Sequence, residues 1–389
     1  MCLASYLRLF ICLFGLNIIS ASAEDNILDL GDNILEELMN TPISVATKTV
    51  QSFPESPGSI TVITSEEIER RGARDLIDIL NFVPGLEVGF DITGTYGVAV
   101  RGVWGNEGKV LVLLDGIELN DDMYASFQYG HHIPVEIIER IEIIRGPGSI
   151  IYGGAAELAV ISITTKKASS ESEGMLSVNS GFTDEIYARK GTNFFYGMKD
   201  DEWNFNINGR WQEGHHSDRH FVDLWGYDYD TGEDGNSKTG SLLLNTSVKF
   251  QGWKHRFIYN RYKTREVYDG FENWDLHFHS YLYQTEYDFK VNDKLTIRPK
   301  FLFKQQEPWN TPGNNFGVAS FDIQSKKTQV DITAFYQLDN HEFLFGVSHD
   351  WVEGKDKENV GNLSQYRGET GHVLNEFYWK RFIEFANLK

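Results

Sequence analysis

The sequence of 389 residues carries a formal net charge of −20, and 14% of its residues are aromatic. This acidic balance argues against a nucleic-acid partner, because the phosphates would repel the chain. Beyond the N-terminus no stretch approaches the ~20 consecutive apolar residues that a helical membrane span needs. The composition leaves two classes of protein. One is a soluble β protein, and the other is a membrane barrel, in whose strands apolar and polar residues alternate and give a low mean hydropathy.

Residues 1–23 have the features of a secretory signal peptide. An apolar core from Leu9 to Ile19 is followed by Ala21-Ser22-Ala23, the small-x-small pattern of a cleavage site. A short anchor helix is the alternative, although the core is shorter than a comfortable span. Both cysteines, Cys2 and Cys12, lie in this segment. We therefore expect a mature chain without thiols, as suits an exported protein that uses no disulfides.

Residues 24–49 form an acidic N-terminal segment. Spaced Ile and Leu residues predict a short amphipathic helix over Asp32–Met39. Pro42 prevents that helix from continuing, and the stretch Thr41–Ala46 is extended and β-branched. A strand of this kind near a terminus could add to the sheet of another protein. An ordinary edge strand or a linker is the alternative.

Residues 50–167 are predicted to fold as one small α+β domain. Turn-forming Gly and Pro residues divide this part into short segments. Alternation assigns a segment to a strand, and helix-start signals assign it to a helix. The predicted elements are a strand at Ile60–Thr64, a helix from Ser65 to near Gly72, a helix at Asp75–Leu80, and strands at Leu86–Phe90, Val98–Arg101, Val110–Leu114 and Val160–Thr165.

The segment Ile138–Lys167 is the most informative part of this domain. Its first half alternates and breaks at Arg145–Gly148, where two glycines and a proline predict a turn. Gly148 and Gly153 have the glycine spacing of a phosphate-binding loop, but the Lys and Ser or Thr that complete such a loop do not follow. A dinucleotide site would need a third glycine where Ile151 stands. We therefore predict closely packed strands rather than a nucleotide site.

Residues 168–389 consist of long alternating runs, many with aromatic residues near their ends. Short polar turns such as Gln251-Gly252 alternate with longer connections at His215–Lys238 and Val267–His279. Alternation, unequal connections at the two ends and aromatic girdles are typical of an outer-membrane β-barrel. A soluble β-sandwich is the alternative. The clearest runs are Trp203–Gly209, Ser241–Phe250, Arg256–Tyr262, Tyr281–Phe289, Leu295–Phe303, Thr328–Tyr336 and Glu342–Val347.

Five blocks of the sequence, in order, resemble the TonB-dependent outer-membrane receptors, in which a globular plug sits inside a ~22-stranded barrel. They are Ser59–Ile68, Asp75–Leu80 with Val83–Leu86, Val100–Gly102, Val110–Ile117, and Glu139–Pro147 with Tyr152-Gly153. The resemblance implies an α+β plug domain followed by antiparallel transmembrane β-barrel strands in the bacterial outer membrane. It also implies energy-coupled uptake of a scarce ligand, such as an iron-siderophore complex or cobalamin, and no enzymatic activity.

The resemblance assigns roles to residues at matching positions. A TonB-type periplasmic protein would bind the TonB box, formed here by Thr41, Pro42, Ile43, Ser44, Val45 and Ala46. Arg101 and Arg145 match plug arginines that face barrel carboxylates in the family. Side chains on the outward loops would either contact a small extracellular ligand or pack against the barrel: Tyr96, Trp104, Tyr124, Phe127, His131 and His132.

Two departures from the family pattern concern the plug and the barrel. Leu158–Ser162 stands where the family usually has Gly-Gly-Val-Ile-Asn, which would alter plug packing. The 222 residues from 168 to 389 suffice for about ten strands against the outer-membrane lipid, about half of the family's wall. We therefore expect an N-terminal portion of a receptor, from a truncated gene or an incomplete sequence. A remnant that binds ligand without transporting it is the alternative function.

No metal or cofactor is predicted. The histidine pairs His131-His132, His215-His216 and His277/His279 have no cysteine or close carboxylate in sequence to complete a ligand set. Asp228–Asn236 carries oxygen-bearing residues at alternate positions, as a calcium loop does, but Gly232 occupies a ligand position. Solvated loops are the preferred interpretation of these motifs.

Overall fold

The computed structural model describes residues 59–90, 96–105, 108–146, 156–222, 225–232, 236–268, 271–311, 322–338, 341–356 and 376–388. The predicted signal peptide, the predicted helix Asp32–Met39 and the predicted TonB box Thr41–Ala46 lie outside the described residues. Within the described ranges, none of the helices combines the length and apolarity required to cross a membrane.

An α+β unit forms the N-terminal part of the described chain. Its helices are α1 (Ser65–Arg71) and α2 (Leu76–Asn81), and a 3₁₀ turn spans Val135–Ile137. Its strands are β1 (Ser59–Thr64), β2 (Leu86–Phe90), β3 (Tyr96–Val100), β4 (Val103–Trp104), β5 (Val110–Leu114), β6 (Ile117–Glu118), β7 (Ile138–Arg145) and β8 (Ala159–Thr165). The predicted helices and strands of this part are confirmed, with ends that differ by one or two residues.

Both helices begin at side chains that cap their first turn. The Thr64 hydroxyl accepts a hydrogen bond from the Glu67 amide at 3.3 Å, and the Asp75 carboxylate accepts one from the Asp78 amide at 2.9 Å. These bonds satisfy amides that have no partner inside the helix. Gly72 ends α1 with φ 65°, a left-handed conformation that glycine adopts without steric cost.

Two sheets form the framework of the α+β unit. The larger has the order β1-β7-β8-β5-β6, in which only β5 and β8 are parallel, and the smaller has the order β2-β3-β4. All five residues of β5 are buried, because this strand is covered on both faces. Strand β7 ends at Arg145, where the sequence predicts a break. Residues 147–155, with the two glycines of the rejected phosphate loop, lie outside the described residues.

The remaining described strands, apart from one small hairpin, build a single large antiparallel sheet. Its path runs β9-β10-β11-β14-β15-β16-β18-β19-β20-β21, and β17 pairs beside β18. The strands after residue 170 are β9 (Ser172–Phe182), β10 (Tyr187–Lys199), β11 (Trp203–His215), β12 (His220–Val222), β13 (Asp228–Asp230), β14 (Lys238–Phe250), β15 (Trp253–Tyr268), β16 (Phe271–Tyr287), β17 (Phe289–Lys290), β18 (Leu295–Asn310), β19 (Ile323–Leu338), β20 (His341–Asp356) and β21 (Glu376–Leu388).

The predicted long connection Val267–His279 is wrong. Strand β15 continues to Tyr268 and β16 starts at Phe271, so a long hairpin replaces most of the loop. Arg265 and Asp275 are paired in this ladder, and the guanidinium donates to the carboxylate at 2.7 and 3.0 Å. Cross-strand contacts therefore extend both strands through a stretch whose own alternation is weak.

The two faces of the large sheet differ in polarity. On β9, Met175 packs against the core of the α+β unit, whereas Leu176 and Val178 point the other way and are 74% and 76% exposed. On β11 the buried inward residues include Asn208 and Arg210. An apolar outer face and a polar inner face are the pattern of strands that separate lipid from an aqueous or protein-filled lumen.

Aromatic side chains gather at the end of the large sheet that carries the short turns. Trp203 and Phe250 stack with their ring centroids 3.9 Å apart, and Trp253 lies 4.9 Å from Tyr287. Phe250 and Trp253 flank the two-residue turn at 251–252. The opposite end of the sheet is the one at which β11 ends at His215 and β18 ends at Asn310. The sequence-based expectation of aromatic residues at run ends is confirmed here.

Candidate functional site

Asp115 forms the first of several charged contacts between the α+β unit and the inner face of the large sheet. It lies in the predicted turn after β5 with φ 49°, and its side chain is 2% exposed. Its Oδ2 accepts hydrogen bonds from Arg256 Nη1 at 2.6 Å and from Asn245 Nδ2 at 3.1 Å. Thr165 Oγ1 donates to the same oxygen at 2.7 Å. Charge-assisted bonds to a buried carboxylate hold this turn firmly against β14 and β15.

A second contact joins the chain after β6 to β18 and β19 through two buried lysines. Lys304 Nζ is 3.0 Å from Asp122 Oδ1 and donates to the Asn120 carbonyl at 2.7 Å. Lys327 Nζ lies 3.5 Å from Glu118 Oε2 and 3.9 Å from Asp122 Oδ1. Burial raises the pKa of Asp122, and the charges of the two lysines oppose that rise. The carboxylates of one unit thus neutralise cations on the other.

Tyr96, predicted to bind ligand, lies in a cluster at the long-connection end of the sheet. Its ring faces the rings of His131 and His216 edge-on, at 6.4 and 6.3 Å. His216 directly follows β11, so the cluster marks the end that we assign to the outside. His131 Nδ1 is 2.7 Å from Asp75 Oδ2. Burial opposes ionisation of Asp75, but the hydrogen bond and charge of His131 prevail and lower its pKa to about 2.

Trp104 and Tyr124 are the other candidate ligand residues that remain partly exposed. Trp104 is 37% exposed, and its indole covers Gly89 and Gly97, where an added Cβ would lie 2.8 and 2.4 Å from the ring. Tyr124 is 40% exposed and meets Trp309 edge-on at 6.4 Å. Together with Tyr96, these rings offer apolar surface that a bound molecule could contact.

Phe127 and His132, by contrast, are buried. The His132 ring lies 5.2 Å from those of both Phe127 and Tyr262. Its Nδ1 is 3.2 Å from Asn260 Oδ1, and its Nε2 contacts the Gln128 carbonyl. Burial lowers the pKa of His132. His132 thus packs against Tyr262 and Asn260 of β15, and Phe127 packs against His132. A role of these two residues in ligand binding stays a prediction.

Comparison with known proteins identifies the two units. Residues 54–159 match the family model described as the TonB-dependent Receptor Plug Domain. The chain carries a TonB-dependent receptor plug followed by part of a β-barrel. The predicted fold class is therefore confirmed, and the family places the protein in the bacterial outer membrane.

Three curated relatives align with part of this chain. The vitamin B12 transporter BtuB of Vibrio vulnificus is 38% identical over 160 residues, which are 40% of this chain and 25% of the relative. An iron-regulated outer membrane virulence protein of Vibrio cholerae is 38% identical over 136 residues, 33% of this chain and 20% of that one. The ferric enterobactin receptor of Pseudomonas aeruginosa is 30% identical over 195 residues, 46% and 24% of the two chains.

Solved structures show the same fold at lower identity. The siderophore receptor PirA of P. aeruginosa superimposes with a TM-score of 0.59 at 16% identity, covering 86% of this chain and 53% of that one. A mutant of the ferric enterobactin receptor PfeA from the same organism, in complex with enterobactin, gives a TM-score of 0.60 at 17% identity, with 86% and 56% covered. The present chain thus spans about half the length of these receptors.

Arg101 and Arg145, predicted to face barrel carboxylates, form their hydrogen bonds inside the plug. Arg145 donates from Nη1 to the Pro84 carbonyl at 2.6 Å and from Nη2 to Thr61 Oγ1 at 2.9 Å. Arg101 Nη2 donates to the Arg145 carbonyl at 3.5 Å. Among the described residues neither arginine pairs with a barrel carboxylate. The ion pairs that do join the two units have the opposite polarity, with plug carboxylates facing barrel cations.

A small cavity lies between the plug and strands β15, β16 and β18. Its volume is about 40 Å³, and its lining includes Asp121, His132, Asn260 and Gln306. Such a space accommodates about one water molecule. A ligand of the size of cobalamin or a siderophore complex cannot enter it, so the exposed rings at the outer end of the plug are better candidates for first contact.

The histidine and calcium motifs gain no support as metal sites. The part of the chain that the structure describes contains no group of three His, Cys, Asp or Glu side chains able to hold a metal ion. In the loop that resembles a calcium site, Asp230 Oδ1 accepts a hydrogen bond from the Gly232 amide at 2.9 Å, and the Asp230 carbonyl accepts one from Asn236 Nδ2 at 2.9 Å. These bonds are those of an ordinary polar turn.

Proposed function

We propose that the protein is a TonB-dependent receptor that takes up a scarce extracellular ligand across the outer membrane. The observation that carries this proposal is the plug itself, held against the inner face of barrel strands by buried pairs such as Lys304–Asp122. The relatives include a vitamin B12 transporter and a ferric enterobactin receptor. Cobalamin and iron-siderophore complexes are therefore the proposed ligand classes.

The outer end of the plug is the proposed site of first ligand contact. Tyr96, Trp104 and Tyr124 expose aromatic surface there, and His131 adds a polar ring beside Tyr96. Flat rings bind the macrocycle of a corrinoid or the aromatic groups of a siderophore through dispersion and stacking, without needing a deep pocket. Ligand bound at this end is in position to alter the contacts of the plug with the barrel.

Coupling to energy is proposed to act through the TonB box at Thr41–Ala46. An extended segment with free backbone groups can pair as a strand with a TonB-type periplasmic protein, and force on that strand would reach the plug through its N-terminal strand β1. We propose no catalytic role, since the match is to a receptor family and the glycine motif lacks the residues that nucleotide binding requires.

Uptake by intact cells tests this proposal. In a host lacking its own receptors for both ligands, the chain is expected to support energy-dependent accumulation of cyanocobalamin or ferric enterobactin. Val45→Pro removes a strand amide and is expected to abolish accumulation, whereas Val45→Thr keeps the backbone and preserves it. Accumulation that Val45→Pro leaves unchanged would refute TonB coupling. Surface binding without accumulation would favour the non-transporting alternative.

A further inference from the structure

The plug meets the two sides of the described barrel wall in different ways. Toward strands β14 to β19 its polar groups are paired directly, through Asp115 with Arg256, Asp122 with Lys304, and His132 with Asn260. The polar atoms left unbonded on that side include second atoms of groups that already have a partner, Asp122 Oδ2 and His279 Nε2, and two separate hydroxyls, Thr285 Oγ1 and Ser325 Oγ. We call this contact of the plug with strands β14 to β19, which is made through direct hydrogen bonds and ion pairs, the bonded contact.

Toward strands β10 and β11 the interface is also buried and polar. Arg189 Nη1 of β10 donates to the Arg74 carbonyl of the plug at 3.4 Å, but a cluster of other polar side chains lacks partners among the described residues. Arg210 is 2% exposed, and its Nε and Nη1 form no hydrogen bond to any described residue. Asn193, paired with Arg210 across the strands, has both amide atoms unbonded. Asn208 and Gln212 share the inward face of β11 with Arg210, and each has an unbonded carbonyl oxygen.

The plug contributes matching groups to this contact. The 3₁₀ turn Val135–Ile137 packs against β10, and Glu136 Oε2 is buried without a described partner. Glu136 and Asp75 are the carboxylates whose charges act on Arg210, yet neither comes within ion-pair distance among the described residues. Gln128 Nε2 is a further buried donor left without a described partner. We call this interface, formed by Gln128, Glu136, Asn193, Asn208, Arg210 and Gln212, the β10–β11 seam.

The chemistry of the seam indicates what fills it. Buried polar atoms almost always have hydrogen-bond partners, so these atoms require partners other than the residues that the structure describes. Both donors and acceptors are present: guanidinium and amide N–H groups beside amide and carboxylate oxygens. Water, which donates and accepts, satisfies such a mixture better than an anion or a cation would. A hydrated contact can also separate at lower cost than a contact made of direct charge pairs.

We propose that the solute route past the plug runs along the β10–β11 seam, while the bonded contact with β14 to β19 holds the plug in the barrel. This proposal rests on the uptake function proposed above and adds the wall along which the ligand moves. A hydrophilic ligand entering the seam exchanges bridging water for direct hydrogen bonds to Arg210, Asn193 and Gln212, so no buried polar atom is left without a partner along the way.

Cysteine labelling of the full chain in outer-membrane vesicles and intact cells tests the route. The sequence contains cysteine only at positions 2 and 12, so the unsubstituted chain serves as the labelling blank. Asn193→Cys and Gln212→Cys place a thiol in the seam. Asn245→Cys is the matched control, because Asn245 on β14 is 1% exposed and both of its amide atoms are bonded: Nδ2 donates to Asp115 Oδ2 at 3.1 Å, and Oδ1 accepts from Arg256 Nη1 at 2.8 Å.

A small methanethiosulfonate reagent is expected to modify the two seam thiols several-fold faster than the Asn245→Cys thiol. Modification of either seam thiol is expected to reduce uptake of cyanocobalamin or ferric enterobactin, measured against the same variant before modification, to that of a receptor-free strain. Full uptake after complete seam modification, or equal labelling of both walls, overturns the proposal. If the unsubstituted chain accumulates neither probe, the uptake function fails for these ligands, and the labelling ratio still decides whether the seam is the hydrated wall.

Discussion

The plug and the barrel strands bury different kinds of side chain. In the plug, strand β5 buries all five residues, and a continuous apolar cluster joins it to α2 through Leu80. In the barrel, strands bury alternate residues, and the buried ones include charged groups such as Lys304 and Arg210. The plug therefore gains stability from an apolar core, and this core also includes the inward barrel residues Leu243, Ile258, Leu282 and Leu302. The attachment of the plug to the barrel combines that apolar contact with paired buried polar groups.

The largest expected effect comes from breaking the buried pair between the two regions. Lys304→Met leaves the Asp122 carboxylate short of its nearest cation, and we expect a loss of about 3–5 kcal/mol in the free energy of plug unfolding. The combined change Lys304→Met with Asp122→Asn is expected to recover much of that loss, because no uncompensated charge remains. Denaturant titration in detergent, followed by tryptophan fluorescence, measures both values. If Lys304→Met is as stable as the parent, the Lys304–Asp122 pair does not hold the plug in place.

A core substitution in the plug tests how much the apolar core contributes to stability. Leu80 is fully buried in α2, so Leu80→Ala is expected to cost about 2–5 kcal/mol through lost contacts and a residual cavity. Leu176 is 74% exposed on the outer face of β9, and Leu176→Ala is expected to change stability by less than about 0.5 kcal/mol. The same denaturant titration compares the two, and similar costs would contradict the assignment of Leu176 to the outer face.

Local signals explain how much of this fold the sequence could predict. The Ser65–Arg71 helix was predictable because a helix-start signal at Ser65 and a glycine at Gly72 mark its two ends. The β15–β16 hairpin was not, because residues 267–279 show weak alternation. The described ones, 267–268 and 271–279, become strand through the ladder that pairs Arg265 with Asp275. Pairing between distant segments overrides local propensity in such cases.

The candidate site shows the same division between local and distant information. The turn at Asp115-Gly116 is visible in the sequence, but its contact with Arg256 joins residues 141 positions apart, and nothing local indicates that partner. Lys304 lies on an alternating strand, where a lysine usually faces water. Its burial follows only from the position of the plug. The resemblance indicated plug–barrel ion pairs but assigned them to Arg101 and Arg145, whose donors remain within the plug.

An intermediate effect is expected from Asp75, whose pKa lies at about 2 rather than 3.8. A carboxyl with a lowered folded-state pKa contributes stability above its unfolded pKa and loses it as pH falls through the folded value. Asp75→Asn keeps an oxygen to cap α2 but does not ionise. The parent is therefore expected to exceed this variant by about 2 kcal/mol at pH 5, and the difference is expected to disappear as pH falls from about 4 to 2. Unfolding free energies of both proteins across this range provide the test, and a difference independent of pH would exclude the Asp75–His131 charge contact as its cause.

The smallest expected effect lies in the barrel and has the opposite sign. Gln251 and Gly252 form a two-residue turn between β14 and β15 with φ of 47° and 87°. Left-handed backbone is unfavourable for glutamine, whereas Asn-Gly is the preferred pair in such turns. We expect Gln251→Asn to stabilise the barrel by about 0.5 kcal/mol.

Gln251→Ala controls for loss of the longer side chain and is expected to give no gain, because alanine has the same steric conflict at positive φ. Thermal unfolding of the barrel in detergent ranks the three proteins, and an alanine variant as stable as the asparagine variant would show that backbone conformation at this turn does not limit barrel stability.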